Sequence, residues 1–165
     1  MTREEPLDYE PRVERQQDGS FLVSLDEDER HLLASLPAQL SAVVEAEPDE
    51  PWLRRLFPTA YPKDPEREAE WRLLMSVDLH DRRQAQLRTL AETAGATTLS
   101  EEELLIWSQA INDIRLYLGT RLDLSEETTE DDFEEEDEDD LNLYVLYTWL
   151  GYLQEEVVEA LSEAL

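Results

Sequence analysis

The sequence predicts a mainly α fold: a four-helix bundle-like single domain over residues 1–165, with an N-terminal β-hairpin and an acidic disordered loop before the last helix. Three observations lead there. Apolar residues recur at spacings of three and four in separate stretches, the period of a helix with one buried face. An Asp-Gly pair stands between two short runs near the N-terminus, where a tight turn needs a positive φ. And 165 residues, 41% of them hydrophobic, suffice for one core but crowd two.

The hairpin is expected over residues 12–25, turning at Asp18-Gly19, with Phe21, Val23 and Leu25 alternating onto one face. Such a hairpin is marginal alone in water, so its apolar face must lie on helices. The helical part spans 26–124. Asp26 begins it, and Glu29 three residues on completes a capping-box pattern. Leu33, Leu36, Leu40 and Val43 then form one stripe, and Pro37 inside it predicts a kink or two consecutive short helices. From Glu47 to Lys63 four prolines forbid a long helix, while Trp52, Leu53, Leu56, Phe57 and Tyr61 suggest a connector packed on the core.

Asp64-Pro65 reads as the cap and first residue of a long helix closed near Gly95. Leu73, Leu74 and Val77 are expected to be buried in its first half, and Leu87, Leu90 and Ala94 in its last turns. Ser100 and Glu103 cap the next helix, in which Leu104, Trp107, Ile111, Ile114 and Leu118 keep helical spacing. The acidic loop is placed at 125–140 and the C-terminal core helix at 141–165. From Leu141 to Leu153 apolar residues face every direction, as in a helix enclosed by others, and Gly151 suggests a close crossing.

Composition narrows the function. With 42 acidic and 14 basic residues the formal charge is −28, which opposes binding to phosphate backbones, so nucleic acid is not an expected partner unless another protein assists. Cys is absent, which removes disulfides, thiolate chemistry and cysteine-ligated metals. The start, MTREEPLDYE, lacks the apolar stretch of a secretory signal, and no run reaches the ~18–20 apolar residues of a membrane span; the expected location is the cytoplasm. Between Ser125 and Asp140 lie 12 acidic residues. A solvated loop is one reading of that run and a specific binding role the other. An EF-hand is not encoded, because no Gly occurs between Arg121 and Leu150.

Catalytic and metal patterns are lacking. His31 and His80 stand alone, without H-x-x-x-H or H-E-x-x-H spacing, and the four glycines are too scattered for a phosphate loop. No catalytic residue, metal ligand or cofactor is expected, and the chain is read as a non-enzyme. Polar residues inside apolar stretches are more informative. Arg54 and Arg55 stand within WLRRLFPTAY, Arg115 within AINDIRLYLG, and Arg82 can pair with Asp78 along its helix. Either these arginines form a structural ion-pair network, or Arg54, Arg55, Tyr61, Arg82, Arg83 and Arg115 converge as a partner-binding face, Arg and Tyr being common interface anchors.

The segments DEPWLRRLFPTAYPKD, DLHDRR, INDIRLYLGTRL and YTWLGYLQEEVVEAL, with the earlier DGSFLVSLDEDERHLLASLPAQL, resemble an actinobacterial domain-of-unknown-function family that includes the oxidative-stress regulator AosR. The excess of Arg (thirteen) over Lys (Lys63 alone) agrees with the GC-rich genomes of that group. The resemblance implies a small cytoplasmic protein, often encoded beside the Clp protease adaptor. It also implies that regulator-like members act with an alternative sigma factor on cysteine-biosynthesis genes under oxidative stress, with a Cys pair as redox switch. This chain departs from that last feature, having no Cys. The expected function is therefore regulation of a stress response through contacts with a sigma factor or RNA polymerase. A Clp-linked adaptor or an acidic DNA-mimic module is the alternative.

Overall fold

A computed structural model describes residues 10–46, 59–133 and 138–163, with side chains excepted at 44–46 and 75–79. Two short strands, β1 (Val13–Arg15) and β2 (Phe21–Val23), pair antiparallel with Val13 opposite Val23. Gly19 takes φ +87° at the turn, and Ser20 donates from its backbone N–H and its hydroxyl to the Asp18 carboxylate (2.9 and 2.6 Å). Those bonds hold the Asp18 carboxyl below its ordinary range. A third strand, β3 (Thr98–Leu99), joins β2 antiparallel, so the hairpin is the outer part of a three-stranded sheet. Two residues just ahead of a helix cap carry no periodicity, and the sequence gives no warning of them.

Helix α1 (Glu27–Ala46) starts from the expected box: Glu29 N–H donates to Asp26 (2.8 Å), and Glu29 accepts from Asp26 N–H (3.3 Å). Leu33, Leu36 and Leu40 are buried, and α1 runs on through Pro37 as one helix rather than two short ones. Helix α2 (Pro65–Thr93) is capped by Asp64, which accepts from Arg67 N–H, and α3 (Glu101–Arg121) by the full Ser100/Glu103 box. At the end of α3 the chain reverses through Asp123, whose φ of +52° lies in the left-handed region, while Leu124 N–H closes back on the Gly119 carbonyl (2.9 Å). Helix α4 (Glu138–Glu163) completes the order. α1 packs on α2, α2 on α3 and α3 on α4, while β1 lies against α4.

The core joins the sheet (Phe21, Val23, Leu99) to Leu33, Leu90, Leu104, Trp107, Ile111, Leu150, Leu153 and Val157, all buried. Arg30 stitches its upper edge. The guanidinium donates to the carbonyls of Leu25, Val23, Ala94 and Ala96 at 2.7–3.1 Å, tying α1 to β2 and to the turn after α2.

Three expectations are corrected. Leu73 and Leu74 are 79% and 77% exposed, whereas Arg83, Gln84, Gln86 and Thr93 further along α2 make side-chain ties to α1 and α3; Val77 lies outside the described side chains. Helix α4, expected to be enclosed, packs chiefly on α3 and β1 among the described residues and leaves Val145 and Tyr152 at 50% and 60% exposure. The acidic run, expected as a disordered loop over 125–140, has an ordered first half. Thr128 N–H donates to Ser125, a 3₁₀ turn spans Glu130–Asp132, Tyr144 OH donates to the Thr128 carbonyl (3.2 Å), and the Phe133 ring lies 5.1 Å from that of Tyr144. Its last three residues belong to α4.

Candidate partner-binding surface

Of the six residues singled out from sequence, the four that are described, Tyr61, Arg82, Arg83 and Arg115, do not share one face. Arg54 and Arg55 lie outside the described residues. Tyr61 sits ahead of α2, with the Arg67 guanidinium 5.3 Å from its ring centre. Its N–H and that of Ala60 donate to Glu68 (2.7 and 3.1 Å), which also takes the Arg72 Nε (2.9 Å). Burial, which pushes the Glu68 carboxyl up, is outweighed by these bonds, and the group lies below its ordinary range. Arg82 and Arg83 are some twenty residues further along, about 30 Å at helical rise.

Arg83 faces α3, its Nε 3.9 Å from Asp113 Oδ2. Asp113 is 8% exposed; burial pushes its carboxyl up and the Arg83 charge opposes this. Arg115 leaves α3 on the other side, since two residues turn a helix by about 200°. It lies over the Tyr147 ring (4.6 Å) and donates to Gln154 (2.8 Å), both on α4. A Cβ on Gly151 would come within 3.1 Å of its Nη2. The glycine thus makes room for a guanidinium, not for a crossing backbone. Arg83 ties α2 to α3, Arg115 ties α3 to α4, and Asp78 lies outside the described side chains.

A second cluster was not visible from sequence. Arg12, just ahead of β1, reaches Glu29 (3.2 Å) and Glu156 (3.7 Å), and the Trp149 indole N–H donates to the same Glu29 oxygen (3.0 Å). One cation therefore serves two carboxylates from helices distant in sequence. Burial pushes the Glu156 carboxyl up; the Arg12 N–H works against this and the Glu159 charge adds to it. Only the cap role of Glu29 was legible.

The cluster anchors the edge of an exposed stripe. Val145, Trp149 and Tyr152, at i, i+4 and i+7, share one face of α4, with Val145 and Tyr152 open and Trp149 half-buried. Glu138, Glu155 and Glu159 are exposed around the same face, and Glu27 and Asp28 on the first turn of α1 next to Glu29. An apolar strip bordered by carboxylates suits an amphipathic helix with basic flanks. Among the described residues no group of three or more metal-ligating side chains is gathered, and no helix is long and apolar enough to cross a membrane.

The fold is thus a mainly helical domain with a small N-terminal sheet. The family model described as "Domain of unknown function (DUF2017)" matches residues 10–161, and the chain belongs to that family. Over 132 residues the chain is 33% identical to a Mycobacterium leprae (strain TN) protein named "Putative oxidative stress regulator AosR". The match covers 69% of this chain, which spans about 59% of that relative's length. No solved structure matches the chain.

Proposed function

We propose that this protein is a non-enzymatic regulator that works by binding a protein partner in transcription, a sigma factor or RNA polymerase, through the α4 stripe. The relative's name supports the regulatory part of this reading. The observation that carries the binding part is the Val145–Trp149–Tyr152 strip with its carboxylate border, on a chain of charge −28. Such a surface repels nucleic acid and favours basic segments of proteins. With no Cys in the sequence, a thiol or disulfide switch within this chain is not part of the reading.

The test is affinity capture from native lysate, comparing wild type with Val145→Glu/Tyr152→Glu. Both positions are exposed, so the variant should fold. A sigma factor or polymerase subunit held by the wild type and lost from the variant supports the reading. Recovery of no transcription component, or equal recovery with both, contradicts it.

A further inference from the structure

The first ten residues of α2 pose a separate question. From Pro65 to Leu74 the helix extends about 15 Å, and eight of those residues are exposed. Leu73 and Leu74, at 79% and 77%, are the most exposed of the large apolar side chains described. The segment is nonetheless well built. Asp64 caps it, Glu68 gathers the Ala60 and Tyr61 N–H groups and Arg72, and Arg67 lies over Tyr61. A preformed helix carrying two adjacent open leucines lowers the ordering cost of any contact it makes.

The charge of this arm identifies the occupant. Arg67 and Arg72 stand against Glu66, Glu68 and Glu70, leaving one net negative charge in a chain of −28. A contact across a twofold axis sets a patch against itself, so the patch must carry both signs to be self-complementary. The α4 stripe, bordered by carboxylates, fails that condition. The α2 arm meets it, and over the rest of the surface two copies repel each other.

We propose that the Pro65–Leu74 arm of α2 pairs with the same arm of a second copy, making a twofold dimer that leaves the α4 stripe free. The patch is smaller than a standard interface of about 800 Å² per partner, so the dimer is a weak one. Because the apolar contact is opposed by long-range repulsion, salt tightens it, whereas salt weakens a bond between the α4 stripe and a basic helix. The dimer and the partner contact can therefore fail independently.

The experiment is sedimentation equilibrium of the full chain across a wide concentration range, at low and at about 0.5 M NaCl. It uses wild type, Leu73→Glu/Leu74→Glu and the charge-neutral Leu73→Ser/Leu74→Ser, with circular dichroism to confirm folding. The expected result is a concentration-dependent dimer that tightens with salt and weakens at least about tenfold in both variants. A wild type that stays monomeric throughout overturns the proposal, as does a dimer that both variants preserve or that salt weakens.

Discussion

Replacing Gly151 by Ala tests the packing of α3 on α4 through a single methyl group. Inside a helix the change gains about 1 kcal/mol of intrinsic propensity. Here the new Cβ would stand 3.1 Å from Arg115 Nη2 and 3.4 Å from its Cζ, so the guanidinium must shift by a few tenths of an ångström. It is held on the Tyr147 ring and by Gln154. A partly buried cation–π contact is worth about 0.5–2 kcal/mol and a charged hydrogen bond about 1.5–3 kcal/mol. Losing half of even the smallest sum, about 2 kcal/mol, cancels the propensity gain. Gly151→Ala should therefore be neutral or destabilising in the wild type. In an Arg115→Ala background, with the obstacle gone, it should stabilise by about 1 kcal/mol, or about 2–4 °C in Tm for a chain of this size. Urea unfolding of the four proteins of the cycle, followed by circular dichroism, measures the coupling. A gain of about 1 kcal/mol in both backgrounds would refute the guanidinium as the reason for the glycine.

Other perturbations act at separate points. Arg30→Met leaves four carbonyls without their shared donor and should cost about 3 kcal/mol or more in urea unfolding. Asp123→Gly relieves a left-handed φ of +52° and should raise stability by about 0.5–1 kcal/mol in the same assay. Glu156 and Asp113 have carboxyls raised by burial, so the folded state holds protons that the unfolded chain has released. Their contribution is complete below the ordinary carboxylate range and is lost as pH rises through the raised folded values. Thermal melts of Glu156→Gln should show a gain over wild type at pH 7 that shrinks toward pH 4, and a gain independent of pH would contradict this.

Features that depend on a few consecutive residues were legible in the sequence. Asp18-Gly19 placed the turn, the Asp26/Glu29 and Ser100/Glu103 boxes placed two helix starts, and the Leu33–Leu36–Leu40 stripe placed the buried face of α1. Features that depend on which neighbours an element acquires were not. Leu73 and Leu74 have the same spacing whether or not another helix lies beside them, and α4 looks enclosed because its apolar content says nothing of how many partners it has. The clusters of Arg30 and of Arg12 with Glu29, Glu156 and Trp149 bring together residues up to 144 positions apart. No local pattern encodes such pairings. The divergence of Arg83 and Arg115 has a related reason: in a helix, nearness along the chain does not fix a common direction, and Asp113, which faces Arg83, and Arg115 point to different neighbours.

The account rests most directly on recognition by the α4 stripe, and the decisive measurement is equilibrium binding of the purified full chain to purified RNA polymerase holoenzymes, one sigma factor at a time. It predicts saturable binding to one holoenzyme that weakens as salt rises and falls at least about tenfold in Val145→Glu/Tyr152→Glu. Binding that is insensitive to both substitutions and salt, or no binding to any holoenzyme, would contradict it.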